Sequence, residues 1–420
     1  MRATISPGPL RGTLDAIPSK SDAHRAILAA ALSDGPTDIV LSSFSQDIEA
    51  TVACAAALGA SAVRTPSGLR ITPRPHGASA RPALFFGESG TTARLVLPVA
   101  AALCAQAEAG GAGRLPERPM SALCRALSEN GCRLSGDRLP LSLRGPLRAG
   151  VYELPGNISS QYISGLLFAL PLLEGDSVIA LTSPLQSSGY VDMTLRTLAA
   201  FGIEADARQG GWLVRGGQTY RSPGTYAVEG DYSNSAVWLC AGALGGDVTV
   251  CGLDPASLQP DRAVVQILER FGAQVDCAGG ACRVRPGAGS RPLRLDVSET
   301  PDLVPVLAVL LASAAGESAL ENAGRLRLKE SDRLHTVTGL LRDLGAQAEE
   351  ARDSMRIAGR GALCGGRTDA HGDHRIAMAA ALAASVCSAA VTIENAQAVE
   401  KSYPGFFSDL RKLGGRIDVE

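Results

Sequence analysis

The sequence predicts an α/β protein of two globular domains, each built from three βαβαββ units. Three observations lead there. The first is length, because 420 residues exceed what one hydrophobic core usually holds. The second is a repeat. A glycine follows an apolar residue or Asn at Leu58-Gly59, Asn130-Gly131, Phe201-Gly202, Phe271-Gly272, Leu344-Gly345 and Leu413-Gly414, at intervals of 69 to 73 residues. The third is that each repeat holds two different helical segments, one amphipathic and one apolar on nearly every face.

The elements of a unit follow from these patterns. Residues 27–32, 95–103, 163–173, 237–244, 303–311 and 376–386 are apolar almost all round, and such helices belong inside a domain. Val264, Ile267, Leu268 and Phe271 recur at helical spacing within a helix predicted over 261–271, and Leu334, Val337, Leu341 and Leu344 repeat the stripe one unit later. The glycine that follows is a helix C-cap, where a positive φ costs least. Gln274-Val275-Asp276 and Arg283-Val284-Arg285 alternate as two short antiparallel strands should. The middle of the repeat falls near Glu229-Gly230-Asp231, giving halves of 20–228 and of 1–19 plus 229–420, with an active-site cleft expected between them.

Composition narrows the function. With 40 Lys+Arg against 42 Asp+Glu, bulk positive charge cannot recruit nucleic acid. An apolar fraction of 45% excludes general disorder. No signal-peptide core follows Arg2, and the richest apolar stretch, 163–173, is too short to span a membrane. The ten cysteines form no CxxC pair, Cys277 and Cys282 being the closest, and they read as reduced, mostly buried thiols of a cytoplasmic protein. His371 and His374 lack a third ligand, and no P-loop, GxGxxG on a βαβ unit, HExxH or GxSxG motif occurs, so neither metal nor cofactor is expected.

Polar residues gather just before the apolar helices: Lys20-Ser21-Asp22 with Arg25, Gly90-Thr91-Thr92 with Arg94, Ser159-Ser160-Gln161, Asp231-Tyr232-Ser233, Pro301-Asp302 and Asp373-His374-Arg375. Ser, Thr and Asp there are ordinary N-caps. Lys and Arg are not, since a helix N-terminus favours anions. Their recurrence points to anion sites built from free N–H groups and cations, and so to a polyanionic ligand. Arg118 in a proline-bracketed loop, the run RLRLKESDR over 325–333, and Lys401 before the last helix add further cations. Such a set suits phosphate binding and proton transfer without a cofactor.

Taken in order, Lys20 to Arg25, Gly90-Thr91 with Arg94, Glu117-Arg118-Pro119, Ser159 to Tyr162, Lys329 to Arg333, Asp373 to Arg375 and Lys401 closely resemble the 5-enolpyruvylshikimate-3-phosphate synthase family of enolpyruvyl transferases. The resemblance covers essentially the whole chain. It implies an inside-out α/β barrel in each half, and transfer of the enolpyruvyl group of phosphoenolpyruvate to the 5-hydroxyl of 3-phosphoshikimate, with phosphate released. By the same resemblance Ser21 and Arg25 hold the shikimate carboxylate region. Ser159, Ser160, Ser187 and Lys329 hold its 3-phosphate. Lys20, Gly90, Arg118, Gln161, Arg333, Arg375 and Lys401 surround phosphoenolpyruvate, Lys20 and Gln161 touching both ligands. Asp302 accepts a proton from the attacking hydroxyl, Glu330 protonates the methylene carbon, and Lys20 joins them in catalysis. A monomer is expected. The sequence departs from the family at Glu88-Ser89, where many members read Asn-Ala, at Leu95, where Pro is frequent, and at Arg325, where some carry Asn. The sister family acting on UDP-N-acetylglucosamine typically carries a Cys before the loop Arg, and 110–119 contains none.

Overall fold

A computed structural model describes residues 1–73 and 81–420. The chain divides into two compact units, Lys20–Val228 and Met1–Ser19 with Glu229–Glu420. Among the described residues the first unit carries α1 (Lys20–Leu32), α2 (Gln46–Ala57), α3 (Gly90–Leu103), α4 (Ser121–Glu129), α5 (Ser160–Ala169) and α6 (Ser188–Ala200). The second carries α7 (Tyr232–Ala243), α8 (Val264–Phe271), α9 (Val304–Ala312), α10 (Arg333–Asp343), α11 (His374–Ala383) and α12 (Phe406–Lys412).

Among the described residues, six four-stranded sheets repeat one plan. In the middle of the first unit, Ala83–Phe85 runs through α3 into Gln106–Gly110, its parallel neighbour. After α4, Arg133–Leu134 and Leu141–Arg144 form a hairpin, and the second of these strands pairs antiparallel with Gln106–Gly110. Each unit closes on itself with distant strands. Thr225–Ala227 lies parallel to Thr37–Val40. In the other unit Arg11–Asp15 lies parallel to Asp247–Cys251, and Ala3–Ile5 lies between Val391–Glu394 and Ile417–Val419.

The odd-numbered helices are the apolar ones. Every residue of α9 is buried, as is Asp22 to Ala31 of α1. In contrast α8 buries only Val264, Ile267, Leu268 and Phe271, and Gly272 ends it with a φ of 108°. Each unit thus wraps its sheets and outer helices around a core of three buried helices. Within the first unit α3 and α5 approach closely at a matched pair of residues. Pro98 cannot donate to the carbonyl of Arg94 one turn earlier. Gly165 of α5 packs against that carbonyl oxygen, which a Cβ would overlap.

Four expectations change, the first being that the helix expected over 376–386 ends its α-helical part at Ala383 and finishes as a 3-10 turn, Ala384–Val386. The segment 163–173 leaves the α-helix after Ala169 and continues as a 3-10 turn, Leu170–Leu172, because Pro171 has no N–H to give. The helix expected from Asp261 starts as a 3-10 turn, Pro260–Ala263, before α8. The cysteines are not all reduced: Cys277 and Cys282 face each other across the hairpin of Gln274–Ala278 and Ala281–Arg285 and are joined as a disulfide.

Candidate active site

In the first unit the polar cluster is set by the starts of α1, α3 and α5. Lys20 is the first residue of α1, and its Nζ lies 2.8 Å from Oδ2 of Asp47 in the first turn of α2. Arg25 is buried and its guanidinium is held by Thr194 Oγ1 at 2.8 Å, the Ser21 carbonyl at 2.6 Å and the Tyr190 carbonyl at 2.8 Å. Burial brings its pKa down to about 10, with Asp22 opposing that shift. Gly90 opens α3 under the cap of Ser89. The Arg118 guanidinium lies directly over it: a Cβ on Gly90 would stand 2.7 Å from Nη1. Gln161 bridges helices, donating to Thr91 Oγ1 at 2.8 Å and accepting from Arg94 Nη1 at 2.8 Å. Ser159 caps α5 and Ser160 is buried behind it. Ser187, buried ahead of α6, holds a left-handed φ of 57°, an uncommon conformation for a residue with a side chain.

In the second unit the cluster is a knot of charges around Arg333, the first residue of α10. Its Nη1 lies 2.6 Å from Asp302 Oδ1, its Nη2 2.6 Å from Glu330 Oε2, and its Nε 2.8 Å from Asp373 Oδ2. Lys329 Nζ reaches Asp302 at 3.0 Å. Asp373 caps α11 by accepting from Arg375 N at 2.9 Å, and Arg375 Nη1 donates to the Ser233 carbonyl at 2.8 Å. Lys401 Nζ donates to the Gly372 carbonyl at 2.7 Å, beside Asp373.

Electrostatics separates these carboxylates. Burial alone would raise the pKa of Asp302, but Lys329, Arg333 and Arg375 outweigh it and hold the carboxyl well below the usual carboxylate range. Asp261, buried ahead of α8, goes the other way: burial first, then Asp302, push it up to about 6 despite Ser233 and Arg375. Lys329 is lowered by burial, with Asp302 opposing that shift. Arg333 is raised, its three carboxylates overcoming the burial that would lower it.

The structure therefore gathers Lys20, Gly90, Arg118 and Gln161 around one set of helix starts, with Arg25 anchored on α6 through Thr194 and Tyr190. It gathers Asp302, Lys329, Glu330, Arg333, Arg375 and Lys401 around another. The anion sites expected from free N–H groups are partly filled by caps, since Ser89, Ser159, Asp231 and Asp373 each take one backbone N–H. Sequence reasoning assigns no role to Asp47 or Asp261 and reads Asp373 only as a helix cap within its motif. Each sits in or just before the first turn of a helix, where Asp is common for capping alone. The only sequence signal is a nearby arginine, Arg262 for Asp261 and Arg375 for Asp373, and Asp47 has none.

The family model for EPSP synthase (3-phosphoshikimate 1-carboxyvinyltransferase) matches residues 5–410. Among curated relatives, the 3-phosphoshikimate 1-carboxyvinyltransferase of Clostridium kluyveri is 41% identical over 99% of this chain and 98% of its own. That of Clostridium acetobutylicum is 40% identical over 98% and 97%. Among solved structures, the EPSP synthase of Acinetobacter baumannii aligns over 100% of both chains with a TM-score of 0.82 at 26% identity. An enolpyruvyl transferase of Streptomyces tendae has the same fold, with a TM-score of 0.82 at 19% identity over 99% of this chain and 98% of that one.

Proposed function

The chain belongs to the EPSP synthase (3-phosphoshikimate 1-carboxyvinyltransferase) family, and we propose that it transfers the enolpyruvyl group of phosphoenolpyruvate to the 5-hydroxyl of 3-phosphoshikimate, releasing phosphate. One observation carries the assignment of roles. Asp302 and Glu330 are both held by the cations that the reaction needs for its anionic substrates. Each substrate bears a phosphate and a carboxylate, so several fixed cations must offset their mutual repulsion. Arg suits planar bidentate contacts with such groups and Lys acts as a point charge.

In this reading Lys20, Gly90, Arg118 and Gln161 of the first unit and Arg333, Arg375 and Lys401 of the second bind phosphoenolpyruvate. Lys20, Ser21, Arg25, Ser159, Ser160, Gln161, Ser187, Asp302 and Lys329 bind 3-phosphoshikimate. A substrate anion that draws the charge of Lys329 and Arg333 removes what depresses Asp302, so the carboxylate becomes a better base as the site fills. It takes the proton of the 5-hydroxyl as the oxygen bonds to the substituted carbon of phosphoenolpyruvate. Glu330, released from Arg333, can carry a proton and deliver it to the methylene carbon. Elimination breaks the carbon–phosphate oxygen bond and returns one proton from the new methyl group, restoring the double bond. No cofactor enters this scheme.

The test is release of phosphate from phosphoenolpyruvate by the folded protein. It should require 3-phosphoshikimate and should not occur with UDP-N-acetylglucosamine as acceptor. Folded protein that gives no turnover with both substrates sinks the reading. We further propose that the protein acts as a cytoplasmic monomer.

A further inference from the structure

The starts of α1, α2 and α3 enclose a chain of polar side chains to which the reaction above gives no role. His24 Nδ1 lies 2.6 Å from Thr51 Oγ1, and Thr51 Oγ1 lies 2.7 Å from Thr92 Oγ1. Thr92 Oγ1 in turn lies 2.7 Å from Ser89 Oγ and 3.5 Å from the Asp47 carbonyl. All four side chains are buried. The chain has a readable direction. The Asp47 carbonyl can only accept, and Ser89 Oγ already accepts from Thr92 N at 3.2 Å. Thr92 Oγ1 donates its one hydroxyl proton to Ser89 Oγ, so toward Thr51 it is the acceptor. Thr51, its own proton spent, must accept from His24, which places the ring proton on Nδ1. The other nitrogen agrees. Nε2 is buried and finds no hydrogen-bond partner among the described residues. A bare lone pair there costs less than an orphaned N–H. Burial first, then Lys20 and Arg25, keep the ring neutral by lowering its pKa well below the usual value.

We propose that His24, Thr51, Thr92 and Ser89 form a one-way hydrogen-bond chain that positions Lys20, Asp47 and Gly90-Thr91 for phosphoenolpyruvate. The proposal rests on the preceding reading and deepens it. The first two links cross from one helix to the next, and the third returns to the cap of α3 itself. Lys20 precedes His24 on α1 by four residues, Asp47 precedes Thr51 on α2 by four, and Gly90-Thr91 adjoins Thr92 on α3. Asp47 holds Lys20 at 2.8 Å, and Thr91 holds Gln161 at 2.8 Å. A slip between these helices thus moves the first-unit ligand contacts together. The four are positioning residues, since none of them is assigned a contact with substrate. The chain ends on Ser89, so its last link depends on this hydroxyl.

Nitrogen-15 NMR of the histidine rings tests the direction, and kinetics tests the consequence. In the wild type the His24 ring should be neutral with the proton on Nδ1 from pH 6 to pH 8. Thr51→Val removes the hydroxyl with little change of shape. It should disturb the ring signal and lower kcat/KM for phosphoenolpyruvate on the order of ten-fold, and Thr51→Ser should restore both. A ring protonated on Nε2, or a Thr51→Val protein with normal kcat/KM, overturns the proposal. If Thr51→Val does not fold, Ser89→Ala takes its place, with an expected loss of about three-fold, and an unchanged kcat/KM again overturns it. Wild-type protein that releases no phosphate would sink the preceding reading instead, and the ring tautomer would then decide the chain's direction by itself.

Discussion

Arg333 and Asp373 form a fully buried, two-point ion pair, with Nε 2.8 Å from Oδ2 and Nη2 3.2 Å from Oδ1. The same carboxylate accepts from Ser331 Oγ at 3.0 Å and caps α11 through Arg375 N. Asp373→Ala therefore strips a buried guanidinium of one partner and a helix of its cap. Breaking such a pair typically costs about 3–5 kcal/mol, and chemical unfolding should show a loss in that range. Asp373→Asn keeps an oxygen for the cap and should lose less. A loss below about 1 kcal/mol for the alanine variant would mean that Asp302 and Glu330 suffice for Arg333.

Gly90→Ala sets a side chain against the Arg118 guanidinium rather than against backbone. The far end of an arginine can move, so the fold should survive with a melting temperature near that of the wild type. What moves is a proposed phosphoenolpyruvate contact. KM for phosphoenolpyruvate should rise about ten-fold, while KM for 3-phosphoshikimate stays close to its original value. Unchanged KM for both substrates would remove Arg118 from the phosphoenolpyruvate assignment.

Gly165→Ala is the opposite case, because the obstacle is the Arg94 carbonyl in the backbone of α3. Neither helix can yield without shifting as a whole. Overpacking of this kind costs about 1–3 kcal/mol, and the variant should melt earlier than the wild type by an amount that Gly90→Ala does not approach. Equal melting temperatures for the two variants would contradict the packing.

The same contrast between local and distant partners explains what could be read from the sequence. Helical stripes such as Val264 to Phe271 and the recurring C-cap glycines are local signals, and each defines an element by itself. The βαβαββ plan was legible because it is written six times. Closure of two sheets by Ala3–Ile5 and Arg11–Asp15 was only foreshadowed, since strand pairing over such separations leaves no periodic trace. Lys20, Arg118 and Arg333 stood out because a cation at a helix start or on a tight loop lacks an ordinary structural excuse. Asp47, Asp261 and Asp373 did not, because an aspartate at a helix start has one. Their surroundings, not their spacing, distinguish them.

Asp261 gives the protein a stability term with an unusual sign. Its folded pKa of about 6 lies above the ordinary value of 3.8, so the folded state binds more protons than the unfolded state between those values. Its contribution is therefore complete at low pH and is lost as pH rises through about 6. Asp302, depressed in the folded state, contributes in the reverse sense and is lost only in strong acid. Asp261→Asn should stabilise the protein at pH 8 relative to the wild type and flatten the fall in melting temperature between pH 4 and pH 7. A variant less stable than the wild type at pH 8 would show that the ionised carboxylate is needed by Arg375.

Asp302→Asn and Glu330→Gln separate catalysis from binding, because each carboxylate neutralises a cation assigned to substrate. Removing a positioned proton acceptor or donor costs about 10²- to 10⁴-fold in rate, so kcat should fall by that much in either variant. The charge removed, however, was competing with the substrates for Lys329 and Arg333. Either substitution leaves those cations more available to phosphate and carboxylate groups. KM for the anionic substrates should therefore hold or drop while kcat falls, the pattern of a lost transition-state interaction together with relieved ground-state competition. Steady-state kinetics with each substrate varied in turn reads both numbers. A raised KM with kcat intact would make the two residues structural partners of Arg333 and nothing more.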